Sequence, residues 1–205
     1  MQIQKNELKG ILLAESPSLY QTPVQEISFP EMDFNGRIID IGGGGEGFVS
    51  RIAGKRVCLV DVRYSKILEA RIHDISSSLI VSDGSQLCFK SQSFDVATMW
   101  FSLGYMADWK TKGDVLREIS RILNKKGKLI LYAMHIGDSD IHVFNGLFTL
   151  PDGTQSKMSY RVRGGQKQDA NAVRKLLENF NFSIYKEHAT KYWSYIEAEL
   201  DHPKP

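Results

Sequence analysis

The chain has 205 residues, 26 basic and 24 acidic for a formal charge of +2, and 42% are hydrophobic; this predicts one domain with a sizeable core and excludes disorder. No apolar run reaches the roughly 18 to 20 residues that cross a bilayer, and Ile11–Ala14, flanked by Glu7 and Glu15, is too short for a secretory signal. A charge so near balance is no nucleic-acid footprint, so the expectation is a soluble, cytoplasmic protein without membrane or nucleic-acid partners.

Residues 1–35 read as an N-terminal cover, with a short helix over Glu7 to Ala14 and extended pieces broken by Pro17, Pro23 and Pro30. From Arg37 onward, short runs rich in Val, Ile and Leu recur at Ile38–Ile41, Val57–Val60, Leu79–Val81, Phe94–Phe101 and Lys128–Ala133. Such runs lack alternation, which suits strands buried on both faces of a parallel sheet. Helical spacing lies between them. It is clearest at Val115, Leu116, Ile119, Ile122 and Leu123, opened by Asp114 and closed by Asn124–Gly127. Strand alternating with helix implies a doubly wound α/β fold.

After Gly137 the pattern changes. His142–Leu150 and Met158–Val162 flank the turn Pro151-Asp152-Gly153, which predicts an inserted β-hairpin. A helix follows over Asp169–Phe180 with Val173, Leu176, Leu177 and Phe180 on one face. Phe182–His188 and Tyr192–Leu200 then predict two antiparallel strands. The whole chain, 1–205, reads as one domain: cover 1–35, core 36–137, and a closing part 138–205.

The loop Gly42-Gly43-Gly44-Gly45-Glu46-Gly47 follows the first core strand. Glycine there lets the backbone turn tightly and approach a ligand closely. Gly42, Gly44 and Gly47 satisfy the G-x-G-x-x-G dinucleotide pattern, with Asp61 downstream. Asp40 argues for another ligand. A carboxylate two residues before the first glycine repels a pyrophosphate and suits an ammonium or a sulfonium. Asp61 ends the second strand, where its two oxygens can accept bonds from both ribose hydroxyls. Asp83-Gly84 follows the third, within reach of an adenine amino group. A nucleoside with a cationic tail fits all three positions.

Asp40–Gly47, Val60-Asp61, Asp83-Gly84, Phe94-Asp95-Val96, Leu116–Leu123 and Lys126–Leu129, in that order, resemble the class I S-adenosylmethionine-dependent methyltransferases. The resemblance covers about residues 36 to 136 and is greatest to the branch of small methyltransferase-domain proteins, many of unknown substrate. It implies a mostly parallel seven-stranded sheet with the last strand antiparallel. It also implies S-adenosyl-L-methionine as cofactor and S-adenosyl-L-homocysteine as product, and a methyl acceptor expected to be a small molecule. Gly42, Gly43, Gly44, Gly45, Glu46 and Gly47 would surround the methionine portion with Asp40, Asp61 would hold the ribose, and Asp83-Gly84 would lie near the adenine. Val62 and Trp100 complete the implied cofactor set. The chain departs from the family pattern at Glu46, where glycine is usual. After the fourth strand, Met99–Tyr105 lacks the Asn/Asp-Pro-Pro-Tyr/Phe and Pro-Cys elements, which disfavours amino-directed DNA, protein-glutamine and cytosine-carbon methylation.

Tyr105, Trp109 and His135 are the candidates for the acceptor pocket, with no catalytic base singled out. Each site also has a plainer reading: Asp61 as a helix cap, Asp83 as a turn former, Trp100 and Phe101 as core. Lys110, Lys112, Lys125, Lys126 and Lys128 read as a solvated face, and Cys58 and Cys88 as small buried residues. The histidines show no metal-ligand clustering, so no protein-held metal is expected. The rival classes are an NAD(P)-dependent oxidoreductase using the same glycines and a non-catalytic cofactor- or partner-binding protein. Oligomeric state is not legible.

Overall fold

The computed structural model describes residues 16–30, 35–73, 76–106 and 108–201; the helix expected over Glu7 to Ala14 lies outside them, as does His202. In chain order the strands are β1 (Leu19–Gln21), β2 (Gln25–Ser28), β3 (Ile38–Ile41), β4 (Val57–Asp61), β5 (Ser78–Val81), β6 (Phe94–Trp100), β7 (Leu123–Met134), β8 (Ile141–Thr149), β9 (Gln155–Arg163), β10 (Phe182–Ala189) and β11 (Trp193–Leu200). The helices are α1 (Phe48–Ala53), α2 (Tyr64–His73), α3 (Trp109–Ile122) and α4 (Ala170–Glu178).

Seven strands form one sheet in the order β10-β11-β7-β6-β3-β4-β5. β3, β4, β5, β6 and β7 pair in parallel, and β11 runs antiparallel to both β7 and β10. The apolar runs therefore make the strands they predict, and the last strand is antiparallel. Because side chains alternate along a strand, each run serves two cores. Ile39, Ile41, Val60, Met99 and Leu131 pack with α3 and α4 on one face. Ile38, Leu59, Val96, Ile130 and Tyr132 pack with α1 and α2 on the other.

That second face is finished by strands instead of a helix. β8 and β9 form the expected hairpin, and β1 and β2 pair in parallel along the free edge of β8. Thr22 bridges the break between β1 and β2: its hydroxyl accepts from the Asn145 N–H at 3.0 Å. Phe29, Phe144 and Phe148 from this small sheet bury themselves against Trp100, Phe101 and Tyr132.

Three expectations are corrected. α3 begins at Trp109, not near Asp114: Asp108 is the cap, accepting from the Thr111 N–H at 2.8 Å, and Asp114 pairs with Lys110 and Arg117 along the helix. Lys112 is not on a solvated face but 0% exposed, because its ammonium donates to Gln166 Oε1 at 2.7 Å and Gln168 Oε1 at 2.6 Å. Cys88 is exposed beyond β5, whereas Cys58 is buried in β4.

Candidate functional site

The order of the sheet reverses between β3 and β6, since the chain runs outward through β4 and β5 and then crosses back. Ligands of open α/β sheets bind at such a switch point, outside the carboxyl ends of the strands. A cavity of about 500 Å³ lies there. Its lining includes Asp40, Gly42 to Gly47, Asp61, Val62, Asp83, Gly84, Trp100 and Tyr105. The sequence had named each of these separately; the fold brings them together.

Strand register explains the floor. Asp40 and Thr98 are direct partners on β3 and β6, and the Thr98 hydroxyl donates to Asp40 Oδ1 at 2.6 Å. Asp40 is 1% exposed. Burial pushes its carboxyl up to about 7, Asp61 adds to the rise, and the Thr98 hydrogen bond opposes it. The glycines above are needed for space. A Cβ on Gly43 would stand 1.9 Å from Asp40 Oδ2, and one on Gly44 would stand 2.6 Å from Asp61 Oδ2. Both carboxylates thus press against bare backbone. The loop is fixed at its ends, with Gly42 N–H donating to Val60 O at 2.7 Å and Gly45 N–H to Lys66 O at 2.9 Å.

Asp61 Oδ1 accepts from the Arg63 N–H at 2.8 Å, so this residue does shape the turn into α2. Its Oδ2 remains turned to the loop. Asp83 Oδ1 accepts from both the N–H and the hydroxyl of Ser85 at 2.8 Å, the local bonding of a turn former, while the residue still lines the cavity. Glu46, the departure from the glycine pattern, is a tie: its Oε2 accepts from the Ser156 hydroxyl of β9 at 3.1 Å and lies 3.5 Å from Arg51.

β9, the second strand of the hairpin, supplies a wall whose residues the sequence did not single out. Ser156, Met158 and Tyr160 alternate toward the body of the protein, and Met158, Ser159 and Tyr160 line the cavity with Met106. The period-two pattern in Gln155–Arg163 was the available signal. Burial holds the Tyr160 phenol well above its ordinary range. Tyr105 stands edge-on to Tyr160 with ring centres 6.5 Å apart, under the guanidinium of Arg63. Trp100 stacks on Phe29 at 4.1 Å, and its indole N–H has no partner among the described residues. Trp109 and His135 are not in this lining. Trp109 donates from its indole to Gln166 O at 3.1 Å, and His135 belongs to a second cavity. Among the described residues no group of three His, Cys, Asp or Glu side chains could hold a metal ion, and no helix is long and apolar enough to cross a membrane.

Comparison with known proteins agrees with this geometry. Residues 39–131, which span β3 through most of β7, match the family described as Methyltransferase domain. Residues 39–131 carry a methyltransferase domain. The methyltransferase fold extends beyond that stretch. An S-adenosylmethionine-dependent methyltransferase of Methanosarcina mazei superposes with a TM-score of 0.61 at 18% identity, over 82% of this chain and 94% of the other. A protein of Pyrococcus horikoshii gives 0.63 at 20% identity, over 83% and 85%. An S-adenosylmethionine-dependent methyltransferase of Mesorhizobium loti gives 0.59 at 16%, over 83% and 93%. No curated protein matches. The cofactor that this methyltransferase family and fold imply is S-adenosylmethionine.

Proposed function

We propose that the chain transfers a methyl group from S-adenosylmethionine to a small-molecule acceptor in the cavity between the glycine loop and β9. The observation that carries this reading is the convergence of Asp40, Asp61 and Asp83 on one cavity beside a loop without side chains at Gly43 and Gly44. Three carboxylates suit a cationic nucleoside and repel a pyrophosphate, which disfavours the nicotinamide alternative.

The residues fit the cofactor by their donors, acceptors and space. Asp61 Oδ2 is available to the ribose hydroxyls, the loop backbone leaves room for the methionine portion, and Asp83-Gly84 stands at the adenine end. Asp40 offsets the positive tail from below. When bound, the sulfonium supplies an already activated methyl group. The protein's own work is then positioning, which is worth up to roughly 7–11 kcal/mol in model reactions. Met106, Met158, Tyr105 and Tyr160 form an apolar and aromatic wall that orients the acceptor and excludes water. The cavity's volume of about 500 Å³ supports a small acceptor over a macromolecule.

Calorimetry with S-adenosylhomocysteine tests the assignment. Asp61→Ala is expected to weaken binding about tenfold or more with the fold retained, the loss of a charge-assisted hydrogen bond. Unchanged affinity refutes the role of Asp61, and a thermal shift with NAD or NADP in place of S-adenosylhomocysteine refutes the cofactor.

A further inference from the structure

A second cavity, of about 470 Å³, shares no lining residue with the first. Its lining includes His142, which projects from the core-facing side of β8 and is 2% exposed. Neither ring nitrogen of His142 has a hydrogen-bond partner among the described residues. Burial pulls its pKa down, so the ring is neutral and presents one N–H and one lone pair, both unmet. Buried polar groups in folded proteins are nearly always paired, so this pair of orphans calls for a partner that is not among the described residues, and the cavity it faces is where a ligand can supply one. The other histidine in the lining shows the contrast. His135 Nδ1–H donates to Lys191 O at 3.2 Å, and its Nε2 accepts from the Ser194 hydroxyl at 2.6 Å, so its bonding is complete.

Around the cavity stand two cations, Lys167 and Lys191, and two carboxylates, Asp138 and Asp169. No ion pair among the described residues involves any of the four. Asp169 Oδ1 accepts from the Ala172 N–H at the start of α4, which leaves its second oxygen. Lys167 has a φ of +49°, an unusual backbone for a lysine, between Gln166 and Gln168, which Lys112 pins from below. Tyr20, whose ring lies 5.3 Å from that of His142, and Tyr192 supply flat apolar walls.

We propose that this second cavity binds a small zwitterion of the amino-acid class. The ammonium groups of Lys167 and Lys191 receive its carboxylate, Asp138 and Asp169 receive its ammonium, and a polar side-chain group meets the ring of His142. The formal charges of the lining cancel, so a plain anion or a plain cation leaves one pair opposed.

The test is histidine-labelled protein titrated with the standard free L-amino acids, followed through the ring nitrogen signals of His142. Acetate and ethylammonium serve as single-charge controls, and calorimetry runs in parallel. At least one amino acid is expected to shift the His142 signals saturably, with each control at least tenfold weaker. Lys191→Ala and Asp138→Ala, both at exposed positions, are expected to weaken binding about tenfold. His142→Gln identifies the signals; should it fail to fold, the two rim variants still decide the matter by calorimetry. No saturable response to any amino acid, an equal response to acetate alone, or rim variants that bind like the parent overturns the proposal. The readout is at His142, so the result is independent of whether the first cavity takes S-adenosylmethionine.

Discussion

Asp40 and Lys112 are both buried charges, and they act on stability with opposite slopes. Asp40 holds its proton up to about 7, against 3.8 ordinarily. Between those values the folded protein is protonated there and the unfolded chain is not, so this residue makes stability fall as pH rises. Ligand binding should run the other way. If the carboxylate is the form that faces a cationic ligand, affinity for S-adenosylhomocysteine rises about tenfold from pH 6 to pH 8, and Asp40→Asn flattens the profile in calorimetry. Lys112 is pulled down to about 8 by burial, from 10.5. Between those values only the unfolded chain keeps its proton, so the lysine makes stability rise with pH, measurable by urea unfolding. Lys112→Met leaves Gln166 and Gln168 without their donor and is expected to cost about 2–4 kcal/mol. Asp40 was legible in the sequence because its loop is contiguous with it. Lys112 was not, because the partners that bury it lie 54 and 56 residues away.

At the scale of elements, the same distinction holds. The five core strands are read from local composition, and the hairpin from Pro151-Asp152-Gly153 between β-prone runs. β1 and β2 were legible only as extended pieces, because Leu19–Gln21 and Gln25–Ser28 are largely exposed and carry no continuous apolar run. They become strands only because the edge of β8 offers hydrogen bonds. The start of α3 was misplaced because Asp108 and Asp114 are equally good caps by type, and only Asp108 reaches a free N–H. The site's outer wall was legible only as a β-prone run: neither that Met158 and Tyr160 reach the cavity nor that Ser156 meets Glu46 could be read from it. That bond ties the glycine loop to β9. A double-mutant cycle on Glu46→Ala and Ser156→Ala is expected to give a coupling of about 0.5–1.5 kcal/mol in urea unfolding. No coupling removes the tie.

Across the whole molecule, the large sheet has helices on one face and a mixture of helices and a second sheet on the other. Phe148 is at the centre of that second contact, 5.4 Å from Phe29 and 5.4 Å from Phe101. Phe148→Ala is expected to lower stability by about 3–5 kcal/mol, read from the urea midpoint, with the large sheet's strands still protected in hydrogen exchange. The pairing of β1 and β2 with β8 also sets an order in time. Ser18 meets Asp140, and Thr22 meets Asn145, across separations of 122 and 123 residues. On a ribosome adding about 5–20 residues per second, the first strands of this chain wait roughly 6–25 seconds for the edge they pair with. Throughout that interval Phe29 can meet Phe48, Trp100 and Tyr132 but not Phe148, so β1 and β2 wait for their strand partner even after much of their core exists.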